Sequence, residues 1–122
     1  MAKTILIVDD SSSLRNVVKI ALVDAGYDVI EGGDGNEGIK ALDGRKVHLI
    51  ISDVNMPNMD GITMVKEIKT MASYQFTPII MLTTEAGDDL KSQGKAAGVK
   101  AWVVKPFKPD QMLNAVSKLI MP

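Results

Sequence analysis

Ile50-Ile51-Ser52-Asp53-Val54-Asn55-Met56-Pro57 decides how this chain is read. The apolar run Val47-His48-Leu49-Ile50-Ile51 leads into it and stops at a carboxylate, Asp53. A loop follows at once, fixed by Pro57 and closed by Asp60-Gly61. A short aliphatic, β-branched run bounded by turn residues reads as a strand buried on both faces. Asp53 then stands at the carboxyl end of that strand. In open parallel α/β sheets this edge is where ligands and chemistry collect.

The neighbouring segments repeat the pattern. Thr4–Val8 reads as a strand ending at Asp9-Asp10. Asp10 and Ser11, Ser12 and Ser13 are cap candidates for a helix carrying Leu14, Val17, Val18, Ala21 and Ala25, stopped by Gly26. Tyr27–Ile30 is a second strand. Asp34 and Glu37 form a capping-box pattern before a helix weakened by Gly38, with Ile39 and Leu42 on its apolar side. Val47–Ile51 is the third strand.

Asp60 caps a third helix that turns Ile62, Val65 and Ile68 inward. Thr77-Pro78 precedes the strand Ile79–Leu82, which ends at Thr83-Thr84. Gly87-Asp88-Asp89 opens a helix with a thin stripe, Leu90 and Ala97, around an interior Gly94; such a helix is expected to be loosely held. Ala101–Val104 is the fifth strand, ending at Lys105-Pro106. Pro109 starts a last helix with the clearest amphipathic pattern: Met112, Leu113, Val116, Leu119 and Ile120.

Strand and helix thus alternate five times. The expected fold is α/β: a doubly wound, five-stranded parallel sheet in the order 2-1-3-4-5 with five helices, flavodoxin-like. The 122 residues suffice for one domain and are too few for two. A net charge of -1 gives no field for nucleic acid or an anionic membrane. There is no cysteine, hence no disulfide or thiolate metal site, which suits a reducing compartment. No apolar run reaches the ~18 residues of a membrane span and none resembles a signal peptide. A soluble cytoplasmic protein is expected. The eight methionines are scattered and read as core filler.

Collected at the carboxyl ends of strands 1, 3, 4 and 5 are Asp9, Asp10, Asp53, Thr83 and Lys105. In this strand order, strands 1 and 3 are neighbours, so three carboxylates converge. Like charges so close need relief. A few carboxylates plus water suit Mg²⁺. Lys105 adds a point charge for a phosphate oxygen, and Thr83 a hydroxyl. The set describes a pocket for a tetrahedral anion beside a metal, with Asp53 as a nucleophile able to form an aspartyl phosphate.

With these residues in hand, the chain resembles the receiver domain of two-component response regulators, and among them the stand-alone, CheY-like chemotaxis regulators. The resemblance spans residues 3 to 121. It rests on Ile7-Val8-Asp9-Asp10, on Asp53-Val54-Asn55-Met56-Pro57-Asn58-Met59-Asp60-Gly61, on Met81-Leu82-Thr83-Thr84-Glu85 and on Val104-Lys105-Pro106-Phe107. It implies one receiver domain over 1–122 without an output domain. It implies that Asp53 accepts a phosphoryl group from a histidine kinase. Asp10 and Asp53 would bind Mg²⁺ directly, Asp9 mainly through water, and Asn55 through its backbone carbonyl. Thr83 would bond the phosphoryl group and move toward it; Lys105, followed by a cis peptide to Pro106, would pair with it. Asn55 and Glu85 would tune its loss.

Trp102 stands where the family most often has a Tyr or Phe switch residue. Its greater bulk and N–H in place of a hydroxyl are a departure. The implied product is a signalling monomer, not an enzyme beyond its own phosphorylation and dephosphorylation. Its helix 4/strand 5/helix 5 face would bind a protein target, such as a flagellar motor switch protein, and a phosphatase is a further possible partner. The alternative is a single-domain receiver in a phosphorelay, or a phosphate sink without motor binding. Two other classes fit less well. A haloacid-dehalogenase-like phosphatase places its nucleophile after the first strand with a second acid two residues on, not adjacent as in Asp9-Asp10. A flavin carrier would need aromatic walls, and only 4% of the residues are aromatic.

Overall fold

β3 (Leu49–Asp53) runs through the middle of the molecule, and the other strands are ranked around it. β1 (Thr4–Val8) pairs with it on one side and carries β2 (Asp28–Gly32) on its far edge; β4 (Ile79–Thr83) and then β5 (Ala101–Val104) follow on the other. All four pairings are parallel, giving the order 2-1-3-4-5. The structure is a computed structural model and describes residues 3–56, 58–83, 88–105 and 108–120. The helices are α1 (Ser12–Asp24), α2 (Gly35–Leu42), α3 (Gly61–Ile68), α4 (Asp88–Ala97) and α5 (Pro109–Leu119). The expected topology is therefore the observed one. Among the described residues no helix is long and apolar enough to cross a membrane.

Side-chain alternation along the strands divides the core in two. Leu6, Val8, Ile50, Ile79 and Met81 face α2, α3 and their flanks, where Leu42, Met64, Val65 and Ile68 are buried. Ile5, Ile7, Leu49, Ile51, Ile80 and Leu82 face the opposite way, onto Val18 and Leu22 of α1 and Met112 and Val116 of α5. Burial on both faces is why the central strands read as continuous apolar runs. Met64, Met81 and Met112 are fully buried, as core filler should be.

Some local expectations are revised. In α1 the buried residues are Val18 and Leu22, while Val17, Ile20 and Val23 are about half exposed (50%, 54% and 51%). Apolar residues surround this helix, so spacing alone does not select the stripe; Val17 and Val18 point about 100° apart and only one can face the sheet. Ser11 is the cap, its hydroxyl accepting from the Leu14 amide at 3.2 Å. β3 starts at Leu49 and reaches Asp53, because Val47 is buried from the preceding loop. β2 runs on to Gly32, where a Cβ would lie 2.7 Å from the Gly38 nitrogen. A Cβ on Gly38 would in turn lie 2.8 Å from Val8 Cγ2 and 2.9 Å from Met64 Sδ. Gly38, which reads as a weakness in α2, is what lets that helix approach the sheet. A short 3₁₀ turn, Ala72–Tyr74, was not legible; it buries Tyr74, whose hydroxyl donates to the carbonyls of Leu42 and Arg45 at 3.0 and 2.7 Å.

His48 ties the start of β1 to the segment before β3. The Thr4 amide donates to His48 Nδ1 at 3.0 Å, which requires that nitrogen to be unprotonated. Burial first, then the charges of Lys3 and Lys46, hold the imidazole below its ordinary pKa of 6.5. The unfolded chain then binds a proton on His48 more readily than the folded one. Stability is complete above the unfolded value and is lost as pH falls toward the folded value. Urea unfolding should show stability declining from pH 7.5 to pH 5.5, and His48→Gln should flatten that decline; an unchanged slope in the variant would exclude His48 as its source.

Candidate functional site

β1 and β3 end side by side, with Val8 opposite Ser52, so the residues that follow Val8 meet the end of β3. One carboxylate oxygen from each of Asp9, Asp10 and Asp53 lies within 4.8 Å of the others. Asp9 is only 2% exposed, Asp53 is half-buried and Asp10 faces solvent. Asp9 Oδ1 accepts from the Ser11 amide at 2.8 Å, and its Oδ2 lies 3.5 Å from Lys105 Nζ. Asp53 Oδ1 accepts from the Val54 amide at 2.8 Å, and its Oδ2 lies 3.3 Å from the same ammonium. Lys105 thus spans the two inner acids. Its place is set by its own amide, which donates to the Thr83 carbonyl at 2.7 Å.

Burial raises the Asp9 carboxyl above its usual range, and the Asp53 charge adds to this; the Ser11 amide and Lys105 pull it back. Thr83 closes β4 and is fully buried. A residue that the spacing did not mark also enters the site. Arg15, in the first turn of α1, donates to the Asp9 carbonyl at 2.6 Å and is itself paired with Glu31 at 3.1 Å. No motif announces it; only the fold brings it to Asp9.

The loop after Asp53 is closed at its base by the Gly61 amide, which donates to the Val54 carbonyl at 2.8 Å. Asp60 caps α3 as expected, accepting from the Thr63 amide at 2.8 Å. A Cβ on Gly61 would lie 3.1 Å from the Asp53 carbonyl carbon and nearer still to its oxygen. Only glycine lets α3 begin against the backbone of the central acid. Asn55 is exposed in this loop, two residues beyond Asp53.

Trp102 lies opposite Met81 in the β4–β5 pairing and packs on the α3 side of the sheet, partly buried. Its ring rests on α4. A Cβ at Gly94 would lie 2.9 Å from Trp102 Cη2 and closer to Cζ2. The interior glycine of α4 is therefore the space that the indole occupies. On the outer side, between β5 and α5, a groove of about 770 Å³ is lined by Trp102, Val104, Lys105, Asn114 and Lys118 among others. The structure thus gathers Asp9, Asp10, Asp53, Thr83 and Lys105 at one edge, and sets Trp102 one strand over, beneath α4. Pro57, Thr84, Glu85, Gly87, Pro106 and Phe107 lie outside the described residues, as do the Lys105–Pro106 peptide and the Leu90 side chain.

This sheet order, with acids and a lysine at its carboxyl edge, defines a CheY-like, flavodoxin-type α/β protein. The chain belongs to the response regulator receiver domain family, whose model matches residues 5–117. It is 40% identical to the chemotaxis protein CheY1 of Helicobacter pylori, over 87% of each chain. The structure of the chemotaxis protein CheY4 of Vibrio cholerae superimposes with a TM-score of 0.95 at 42% identity, covering 98% of this chain and all of that one. The receiver domain of a Pseudomonas aeruginosa sensor histidine kinase, solved with a magnesium ion coordinated in its active-site cleft, matches with a TM-score of 0.89 at 25% identity, over 98% of each chain.

Gly94→Ala tests the seat of the indole. The added methyl should push the ring from beneath α4, moving Trp102 emission to longer wavelength and opening it to acrylamide. Overpacking should cost about 1–3 kcal/mol, offset by about 1 kcal/mol of helix propensity. Unchanged emission and quenching would mean that the ring does not depend on Gly94.

Proposed function

We propose that this protein is a phosphorylation-activated switch of a two-component system, taking a phosphoryl group from a histidine kinase onto Asp53 in a Mg²⁺-dependent step. The observation that carries this is the Asp53 carboxylate itself. One of its oxygens is held by the Val54 amide and the other faces Lys105, beside two further acids. A group so oriented cannot rotate freely and has a cation waiting on its reacting side.

The donor set fits a hard divalent cation: among the described residues it is three carboxylates, one of them buried, with no histidine or cysteine. Asp10 and Asp53 would hold Mg²⁺ directly, with the Asn55 backbone carbonyl, and Asp9 would act through water. Bound there, Mg²⁺ neutralises charge that builds on the transferring phosphoryl oxygens. Asp53 forms the new P–O bond as the P–N bond to the kinase imidazole breaks, the electron pair leaving on the imidazole nitrogen. Lys105 then pairs with a phosphoryl oxygen. Hydrolysis by water later releases phosphate and restores the carboxylate, at a rate that Asn55 and Glu85 adjust.

Thr83 supplies a hydroxyl bond to the phosphoryl group, and its inward movement changes the packing around Trp102. The face formed by α4, β5 and α5 then presents a different surface to a protein target. The resemblance to chemotaxis proteins favours a flagellar motor switch protein as that target, a phosphatase as a further partner, and a cytoplasmic monomer as the working form.

Intact-mass measurement with acetyl phosphate and Mg²⁺ should add one phosphoryl group to the wild type and none to Asp53→Asn. Thr83→Ala should still be phosphorylated but should lose about tenfold in phosphorylation-dependent affinity for the target. Equal labelling of Asp53→Asn would move the acceptor elsewhere. Normal target binding by phosphorylated Thr83→Ala would remove Thr83 from the coupling.

A further inference from the structure

The loop that follows Asp53 is fastened at a second place, away from its base. Asn58 sits in it with φ +66°, one of two non-glycine residues in the left-handed region among those described. Asparagine tolerates that conformation better than most side chains. Its amide nitrogen donates at 2.8 Å to Asp34 Oδ2, across 24 residues of chain. Asp34 is nearly buried and is the cap of α2: its Oδ1 accepts from the Glu37 amide at 2.8 Å. Glu37 in turn accepts from the Gly33 amide at 3.0 Å. The Glu37 amide, and after it the Asn58 amide, hold the Asp34 carboxyl below its usual range, so it remains an anion for Asn58 to grip.

The next residue is seated as well. A Cβ on Gly35 would lie 2.8 Å from Met59 Cβ, Cγ and carbonyl oxygen. The loop is therefore clasped to the start of α2 by one charge-assisted hydrogen bond and one close backbone approach. Between this clasp and Asp53 lies Asn55.

We infer that Asn58 and Asp34 form a positioning pair for the cation site: they fix the loop carrying Asn55 against α2, so that its backbone is already in place when Mg²⁺ arrives. The inference rests on the reading of Asp10, Asp53 and Asn55 as the cation's holders. Neither residue touches the cation; each acts through the loop. Groups that orient ligands from outside the coordination sphere commonly change metal affinity by an order of magnitude or more. Loss of this single bond is expected to do less.

Isothermal titration calorimetry with MgCl₂ on the full chain tests it, with thermal unfolding of the metal-free proteins alongside. Asn58→Gly accepts the left-handed backbone and removes the amide, at the cost of a freer backbone at that position. Asp34→Ser keeps a capping oxygen for α2 and removes the acceptor. Each should weaken Mg²⁺ binding by about 3- to 10-fold. The double variant should be no weaker than the worse single one, because the two act through one bond. Binding unchanged in Asn58→Gly would overturn the inference, as would losses that multiply in the double variant. Asp34→Ser also deletes a charge, and multiplying losses would show that charge acting alone. If the wild type itself binds no Mg²⁺, or Asp53→Asn binds it equally well, it is the cation reading that fails.

Discussion

The repulsion among Asp9, Asp10 and Asp53 is the constraint that organises the rest of this edge. It follows from topology: β1 and β3 are hydrogen-bonded neighbours, so acids that end them cannot be apart. At about 5 Å and an effective dielectric of about 20, Asp9 and Asp53 as full charges would cost about 3 kcal/mol; Asp10, facing solvent, adds less. Lys105 answers two of the acids, but a single ammonium leaves two negative charges uncompensated. Burial first, and the Asp53 charge with it, push the Asp9 carboxyl above its usual range, and Lys105 relieves part of this. A divalent cation would give the remainder, and a phosphoryl group added to Asp53 would restore the imbalance in a new form. On the proposed reading, the same cluster would favour metal binding and would make a phosphorylated state electrostatically distinct from the free one.

A second theme is the use of glycine where two elements must nearly touch. Gly61 brings α3 against the Asp53 backbone, Gly38 brings α2 against β1, and Gly94 receives the indole of Trp102. The first two set the site's walls. The third links α4 to β5 through a large ring resting on a space without a side chain. A large ring seated in such a space couples the helix to the strand, so a shift of either is felt by the other.

Much of this was legible from spacing. Alternating strands and helices, together with the rule for crossovers, lead to the observed sheet order. Because ligands gather at the carboxyl ends of parallel strands, Asp9, Asp10, Asp53, Thr83 and Lys105 could be grouped before their geometry was known. What spacing could not supply was contact between elements. Arg15 reaches the Asp9 carbonyl, and Asn58 reaches Asp34, through tertiary proximity that no local pattern encodes. The burial of Val18 rather than Val17 depends on how α1 is rotated onto the sheet. The interior glycines reverse their meaning for the same reason: helix propensity counts Gly38 and Gly94 as defects, while the neighbours across the interface require them.

In the proposed switch, chemistry at Asp53 is mechanically connected to Trp102. The most direct measurement is Trp102 fluorescence during titration with beryllofluoride in the presence of Mg²⁺, on the wild type and on Asp53→Asn; the chain has one tryptophan, so the signal has one source. A saturable, Mg²⁺-dependent change is expected in the wild type and none in Asp53→Asn. Beryllofluoride bound at Asp53, as seen by ¹⁹F NMR, with no change in Trp102 emission or quenching would contradict it.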